Sequence, residues 1–167
     1  MIKPLPYFGE IDIAALLDYY NVNTTFDNKQ VSLDINFLNT SISEGVYQRI
    51  NAFLDNIREF NNQNKSIIER NFKEGGEVVD YIQFHLEELS EEELASIIDN
   101  NDSQSKDQQI LDSLRLVRIG LYPDGKYETS YFAVFDYSIE IDGDLSNQLV
   151  VVKTNERGEL DHVTWES

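Results

Sequence analysis

The sequence predicts an α+β fold, a two-layer sandwich with an antiparallel sheet of about six strands and helices packed on one face. Three observations carry this expectation. Apolar and polar residues alternate at both ends of the chain, helix-spaced apolar stripes with capping signals fill the middle, and no composition break divides the two. The whole chain, 1–167, therefore reads as one domain.

The first zone, about Tyr7 to Asn39, reads as strands. Tyr20, Val22, Thr24 and Phe26 alternate with Asn21, Asn23 and Thr25. After Asp27-Asn28-Lys29, the residues Val31, Leu33, Ile35 and Phe37 alternate with Ser32, Asp34 and Asn36. Two such runs around a short Asp/Asn turn predict a hairpin with one buried and one wet face. From Ser41 the pattern turns helical. Ser41 and Glu44 form a capping-box signature ahead of Ile42, Val46, Ile50, Leu54 and Ile57. A second helix is expected over Ser66–Lys73, then a break at Gly75-Gly76 and a third stripe through Val78, Val79, Ile82, Leu86 and Leu89. Ser90 and Glu93 form another capping box. A polar loop over Asp99–Asp107 and a short helix before Arg115 complete the zone.

The last zone, Leu116–Ser167, predicts a β-meander. Its turns are Tyr122-Pro-Asp-Gly125, Asp142-Gly143-Asp144 and Asn155-Glu-Arg-Gly158. A long strand is expected from Tyr127 to Ile139, and further strands over Gln148–Lys153 and Leu160–Trp165. The N-terminal hairpin must join this meander, because an isolated hairpin is marginal in water.

Composition narrows the function classes. Thirty-one acidic against thirteen basic residues give a net charge of −18. Such a field repels phosphate backbones and anionic lipid, so neither nucleic acid nor membrane is an expected partner. The absence of Cys removes disulfides, thiolate metal sites and cysteine nucleophiles together. No apolar run approaches the ~20 residues of a membrane helix, and the N-terminus lacks a signal-peptide pattern, so a cytoplasmic location is expected.

The search for chemistry yields no catalytic residue, no metal site and no cofactor. Gly-x-Ser-x-Gly, the nucleotide-cradle glycine motifs and a calcium-loop spacing are all missing. His85 follows an apolar helical stripe and reads as a partly exposed helix residue. His162 neighbours Asp161, but adjacent strand residues point to opposite faces, which argues against a direct pair. The informative feature is the placement of charge. Between Lys73 and Lys106 lie Glu74, Glu77, Asp80, Glu87, Glu88, Glu91, Glu92, Glu93, Asp99 and Asp102, with no basic residue among them. Part of this is helix chemistry, since acids suit the first turn after Ser90. The remainder is either a solvated face or a docking surface for a basic protein.

Phe135-Asp-Tyr-Ser138, Asp144–Lys153, Gly158–Ser167 and the N-terminal Tyr7-Phe-Gly-Glu-Ile11 resemble a family of small bacterial proteins known only as a domain of unknown function. The resemblance implies a two-layer α-β sandwich. It also implies an association with immunity proteins of polymorphic-toxin systems, and it supplies no functional residues. The leading expectation is a non-enzymatic, immunity-type protein that engages a basic toxin domain through Glu74, Glu77, Asp80, Glu87, Glu88, Glu91, Glu92 and Glu93. The alternatives are a carboxylate- or metal-dependent enzyme and a homo-oligomeric protein paired through a sheet edge.

Overall fold

The computed structural model covers Met1–Ser167. Its first long hairpin is set by two residues. Asp27 and Asn28 take φ of 51° and 63°, the left-handed pair that a two-residue type I′ turn needs and that Asp and Asn tolerate. They join β3 (Tyr19–Phe26) to β4 (Lys29–Asn36) in unbroken register from Tyr19↔Asn36 to Phe26↔Lys29. Ahead of them, β1 (Ile2–Leu5) and β2 (Gly9–Asp12) form a separate two-stranded hairpin that alternation alone does not distinguish from the strand zone.

Five helices follow: α1 (Glu44–Asp55), α2 (Ile57–Lys73), α3 (Glu77–Glu88), α4 (Glu91–Ala95) and α5 (Lys106–Ser113). The cap of α1 is Ser43, whose hydroxyl accepts from the Val46 N–H, and not Ser41. The chain ahead of Ser43 is held to the N-terminal segment by the Ile42 N–H bond to the Ile13 carbonyl, and Ser43 has the extended backbone of a cap, with φ −73° and ψ 163°. α2 begins at Ile57, nine residues before the expected Ser66. Its polar stretch Asn61–Asn64 lies between the two stripes from which helices are expected. Asn61 and Asn64 nevertheless share the buried face with Ile57, Phe60 and Ile68. Ser90 and Glu93 do form a reciprocal capping box at α4.

The C-terminal strands are β5 (Arg115–Leu121), β6 (Ala133–Ser138), β7 (Glu140–Ile141), β8 (Asp144–Leu145), β9 (Leu149–Thr154) and β10 (Leu160–Glu166). The strand expected from Tyr127 starts only at Ala133, because Tyr127 and Glu128 take positive φ and break the extended run. β7 and β8 pair with each other, and the main sheet runs β10-β9-β6-β5-β4-β3. It is mostly antiparallel, but β4 and β5 pair parallel, Ser32↔Arg118 through Ile35↔Leu121. The expectation of a purely antiparallel sheet is corrected at this seam. All five helices intervene between the two strands, which is ample for a crossover that returns the chain in the same direction.

The helices cover one face. Val31, Leu33, Ile35, Phe135, Tyr137, Val150 and Val152 are buried there in one core with Ile50, Phe53, Ile57, Tyr81 and Ile82. Phe53 packs on Phe60, Phe132 and Phe135, with ring centroids 5.0–6.0 Å apart.

Two glycines test this packing. Gly125 and Gly158 have nearly equal φ (80° and 74°), but a Cβ at Gly125 meets nothing while one at Gly158 runs into the ring of Phe60. Gly125→Ala should cost about 1–2 kcal/mol of backbone strain. Gly158→Ala should cost at least about 1 kcal/mol more, because Phe60 is held against Phe53 and has nowhere to go. Urea unfolding of both variants checks this, and equal losses would show that the Phe60 contact is soft.

Candidate functional site

Three places concentrate polar or charged groups, and the first is the sheet face that carries no helix. β5 contains a bulge between Leu116 and Arg118. Without it, residues two apart would share a face; with it, Leu116 turns into the core and Arg118 turns outward. The parallel register then sets Asp34 opposite Gly120, and the Arg118 guanidinium lies across that glycine, in the space a Cβ would fill. Arg118 Nε and Nη2 donate to the two oxygens of Asp34 at 2.7 and 2.9 Å, a bidentate pair. Nη1 donates to Asp136 at 3.1 Å and Nη2 to the Tyr122 hydroxyl at 3.1 Å. Asn36 Nδ2 adds a bond to Asp34 at 2.7 Å.

Asp34 and Asp136 are only 2% and 6% exposed, so the centre of the expected wet face is a closed ionic network. Burial raises the Asp136 pKa, against the opposing pull of Arg118. Burial also works to lower the Arg118 pKa, but the bonds and charges of Asp34, Tyr122 and Asp136 outweigh it and hold the pKa above its usual value.

The second place is the expected acidic face. Glu74, Glu77, Asp80, Glu87, Glu88, Glu91 and Glu92 are all exposed. Two of the predicted set have structural work. Glu77 Oε2 accepts the Trp165 N–H of β10 at 2.7 Å, and the half-buried Glu93 closes the Ser90 box at 3.1 Å. Glu87, Glu88, Glu91 and Glu92 gather where α3 passes into α4. No ion pair of the protein includes any residue from Glu74 to Asp102. Beside Glu91 a depression of about 400 Å³ opens over Leu94, Ala95 and Ile98, with Lys106 on its rim.

The third place is a cavity of about 410 Å³ between α2 and α5, floored by Ile68, Leu111, Leu114 and Tyr137. The Tyr137 hydroxyl donates to Asn61 Oδ1 at 2.6 Å. One turn further along α2, Asn64 is fully buried with neither amide atom bonded. Lys65, Glu69 and Asp112 also line this cavity, around an apolar floor.

Both histidines depart from expectation. His85 is 1% exposed, not partly exposed. Its Nδ1 lies 2.9 Å from the Tyr81 carbonyl and must donate to it, so Nε2 accepts from the Ser146 hydroxyl at 3.0 Å. Burial lowers its pKa, with the Tyr81 bond opposing. His162 does pair with Asp161, Nδ1 to Oδ1 at 2.6 Å. The opposite-face argument fails because β10 carries a bulge between Leu160 and His162.

No family model, characterised protein or solved structure matches this chain. The resemblance drawn from the strand and turn residues thus has no matching relative behind it, and the site must be argued from geometry. No helix is long and apolar enough to cross a membrane. Sequence reasoning located the acidic face but missed the Arg118 network. The signal present was the pair of acids Asp34 and Asp136, each set between two apolar or aromatic residues of its strand.

Two stability measurements probe these groups. Arg118→Met strands two buried carboxylates and should cost about 3–5 kcal/mol near neutral pH. Burial raises the Asp136 pKa, so the folded variant should take up a proton there before the unfolded chain does and the deficit should shrink as pH falls into the carboxylate range; a deficit independent of pH would contradict the network. For His85 the unfolded side chain binds protons more tightly than the folded one. The wild-type protein should therefore lose stability as pH falls through the unfolded value of 6.5. His85→Gln should flatten that decline in urea-unfolding series, and an unchanged slope would show that His85 is not its source.

Proposed function

We propose that this is a non-enzymatic binding protein that engages a basic partner protein through the junction of α3 and α4. The single observation that supports the reading is the exposed, unpaired acidic group Glu87, Glu88, Glu91 and Glu92 beside an apolar-floored depression. Uncompensated charge accelerates encounter with an oppositely charged surface, and the depression offers a place for an aliphatic or aromatic side chain to anchor. Asp80 and Glu74 extend the same field, while Glu77 and Glu93 drop out of the contact set because each already holds a backbone N–H. A toxin domain, the partner implied by the resemblance, fits this chemistry when it is basic. The enzyme alternative has less support, since the two buried carboxylates are both spent on Arg118.

The test replaces Glu87, Glu88, Glu91 and Glu92 with Lys and follows association with the basic protein that co-purifies from the native host. At low ionic strength the on-rate should fall at least about tenfold, and added salt should lower the wild-type rate toward the same floor. An on-rate unchanged by the four substitutions would remove this face from the reading.

A further inference from the structure

The two edges of the main sheet are finished differently. β10 carries Asp161, His162 and Glu166 and a bulge, and the Glu77 carboxylate occupies its Trp165 N–H. Charges, bulges and covering side chains are how sheets avoid adding strands. β3 carries no charge and no bulge, and a side chain meets its outer backbone only at the Thr25 end. It runs eight residues, Tyr19–Phe26, in unbroken register, contains no Pro, and alone among the ten strands carries no charged residue.

The ladder shows which of its groups are free. Phe26 and Lys29 close the two-residue turn, and the Phe37 N–H donates to the Asp18 carbonyl at 2.9 Å. Antiparallel alternation then assigns residues 20, 22, 24 and 26 to bonds with β4. Tyr19, Asn21, Asn23 and Thr25 direct their N–H and C=O groups away from the sheet. The Thr25 carbonyl is met by Arg58 Nη2 at 3.5 Å. Tyr19, Asn21 and Asn23 have no backbone partner on that side.

We propose that β3 pairs antiparallel with β3 of a second copy of this chain, about a two-fold axis through Asn21. The free groups are symmetric about that residue: Tyr19 faces Asn23 of the second copy, Asn21 faces Asn21, and about six backbone bonds form. Tyr20 then lies opposite Val22, an aromatic–β-branched pair. Asp18 lands opposite Thr24 and meets no acid. Charge selects this strand as well. Two copies at −18 each repel, and β3 is the one strand along which they approach without opposing charges. The dimer should accordingly strengthen with salt, whereas a contact between the acidic face and a basic partner weakens.

Sedimentation of the full chain over a roughly hundredfold concentration range, in about 0.1 M and about 1 M NaCl, tests this, since the Debye length falls from about 10 Å to about 3 Å. The expected result is a reversible dimer whose dissociation constant drops at least about tenfold at the higher salt. In the backbone Asn21→Pro deletes an outward N–H and nothing of the β4 ladder, Asn21→Lys sets two lysines face to face on the axis, and both give up the exposed amide bonds to Ser32 and Tyr19. Each should weaken the dimer at least about tenfold without altering the far-UV spectrum, and Asn21→Lys does so while lowering the net repulsion. If Asn21→Pro misfolds, Asn21→Lys decides the matter alone. A chain monomeric at every concentration and salt, a dimer equally tight in the folded variants, or one that loosens with salt overturns the proposal.

Discussion

Arg118 stands where the two ends of the chain meet. The N-terminal hairpin contributes β3 and β4, the C-terminal zone contributes β5, β6, β9 and β10, and the only ladder joining them is the short parallel pairing of Ser32–Ile35 with Arg118–Leu121. Parallel ladders are slightly weaker per residue than antiparallel ones, and this one is four residues long. Side chains reinforce it along its length. Arg115 Nη1 donates to the Gln30 carbonyl at one end, Arg118 holds Asp34 in the middle, and Asp124 accepts from the N–H groups of Leu38 and Asn39 at the other end. The Arg118 bond is bidentate and the least exposed of the three, so the sheet's continuity depends on it most.

That dependence explains the polar face. A sheet covered by helices on one side must leave its other side either wet or sealed by its own side chains. Here Asp34, Asn36, Asp136, Arg118 and Tyr122 seal the centre, and Lys153 and Glu166 form an outer pair at 2.9 Å. A buried ionic network is weak evidence of extra stability, because desolvation offsets much of the attraction. What it supplies is registry. Shifting β5 by one residue against β4 would pull the guanidinium off Asp34 and leave that buried carboxylate unpaired.

The parts of the fold legible in sequence were those decided locally. Asp27-Asn28 can make a type I′ turn without outside help, and the Ser90–Glu93 box satisfies its own N–H groups. The illegible parts were decided at a distance. The bulge in β5 leaves no mark in the alternation Val117, Ile119, Leu121, yet it turns Leu116 rather than Val117 into the core. His85 looks like any histidine at the end of an apolar stripe until Ser146, sixty-one residues away, closes over it. Asn61 and Asn64 fall outside the expected helical stripes because their burial near Tyr137 is a tertiary fact. The acidic face was legible as charge. Its division into structural acids, Glu77 and Glu93, and free ones required the positions of Trp165 and Ser90.

The same charge organises how the molecule meets others. Sheet order places β10, with α3 packed beside it, at one edge and β3 at the opposite edge. A basic partner at the α3–α4 junction and a second copy at β3 would therefore occupy opposite sides of the sheet and need not compete. The two contacts also pull in opposite directions with ionic strength, one built on uncompensated acid and the other on its local absence. Binding a basic partner lowers the net charge of the complex and with it the long-range repulsion between copies. Under the two proposals, partner engagement at one edge and strand pairing at the other would be coupled through charge alone, with no change of shape required.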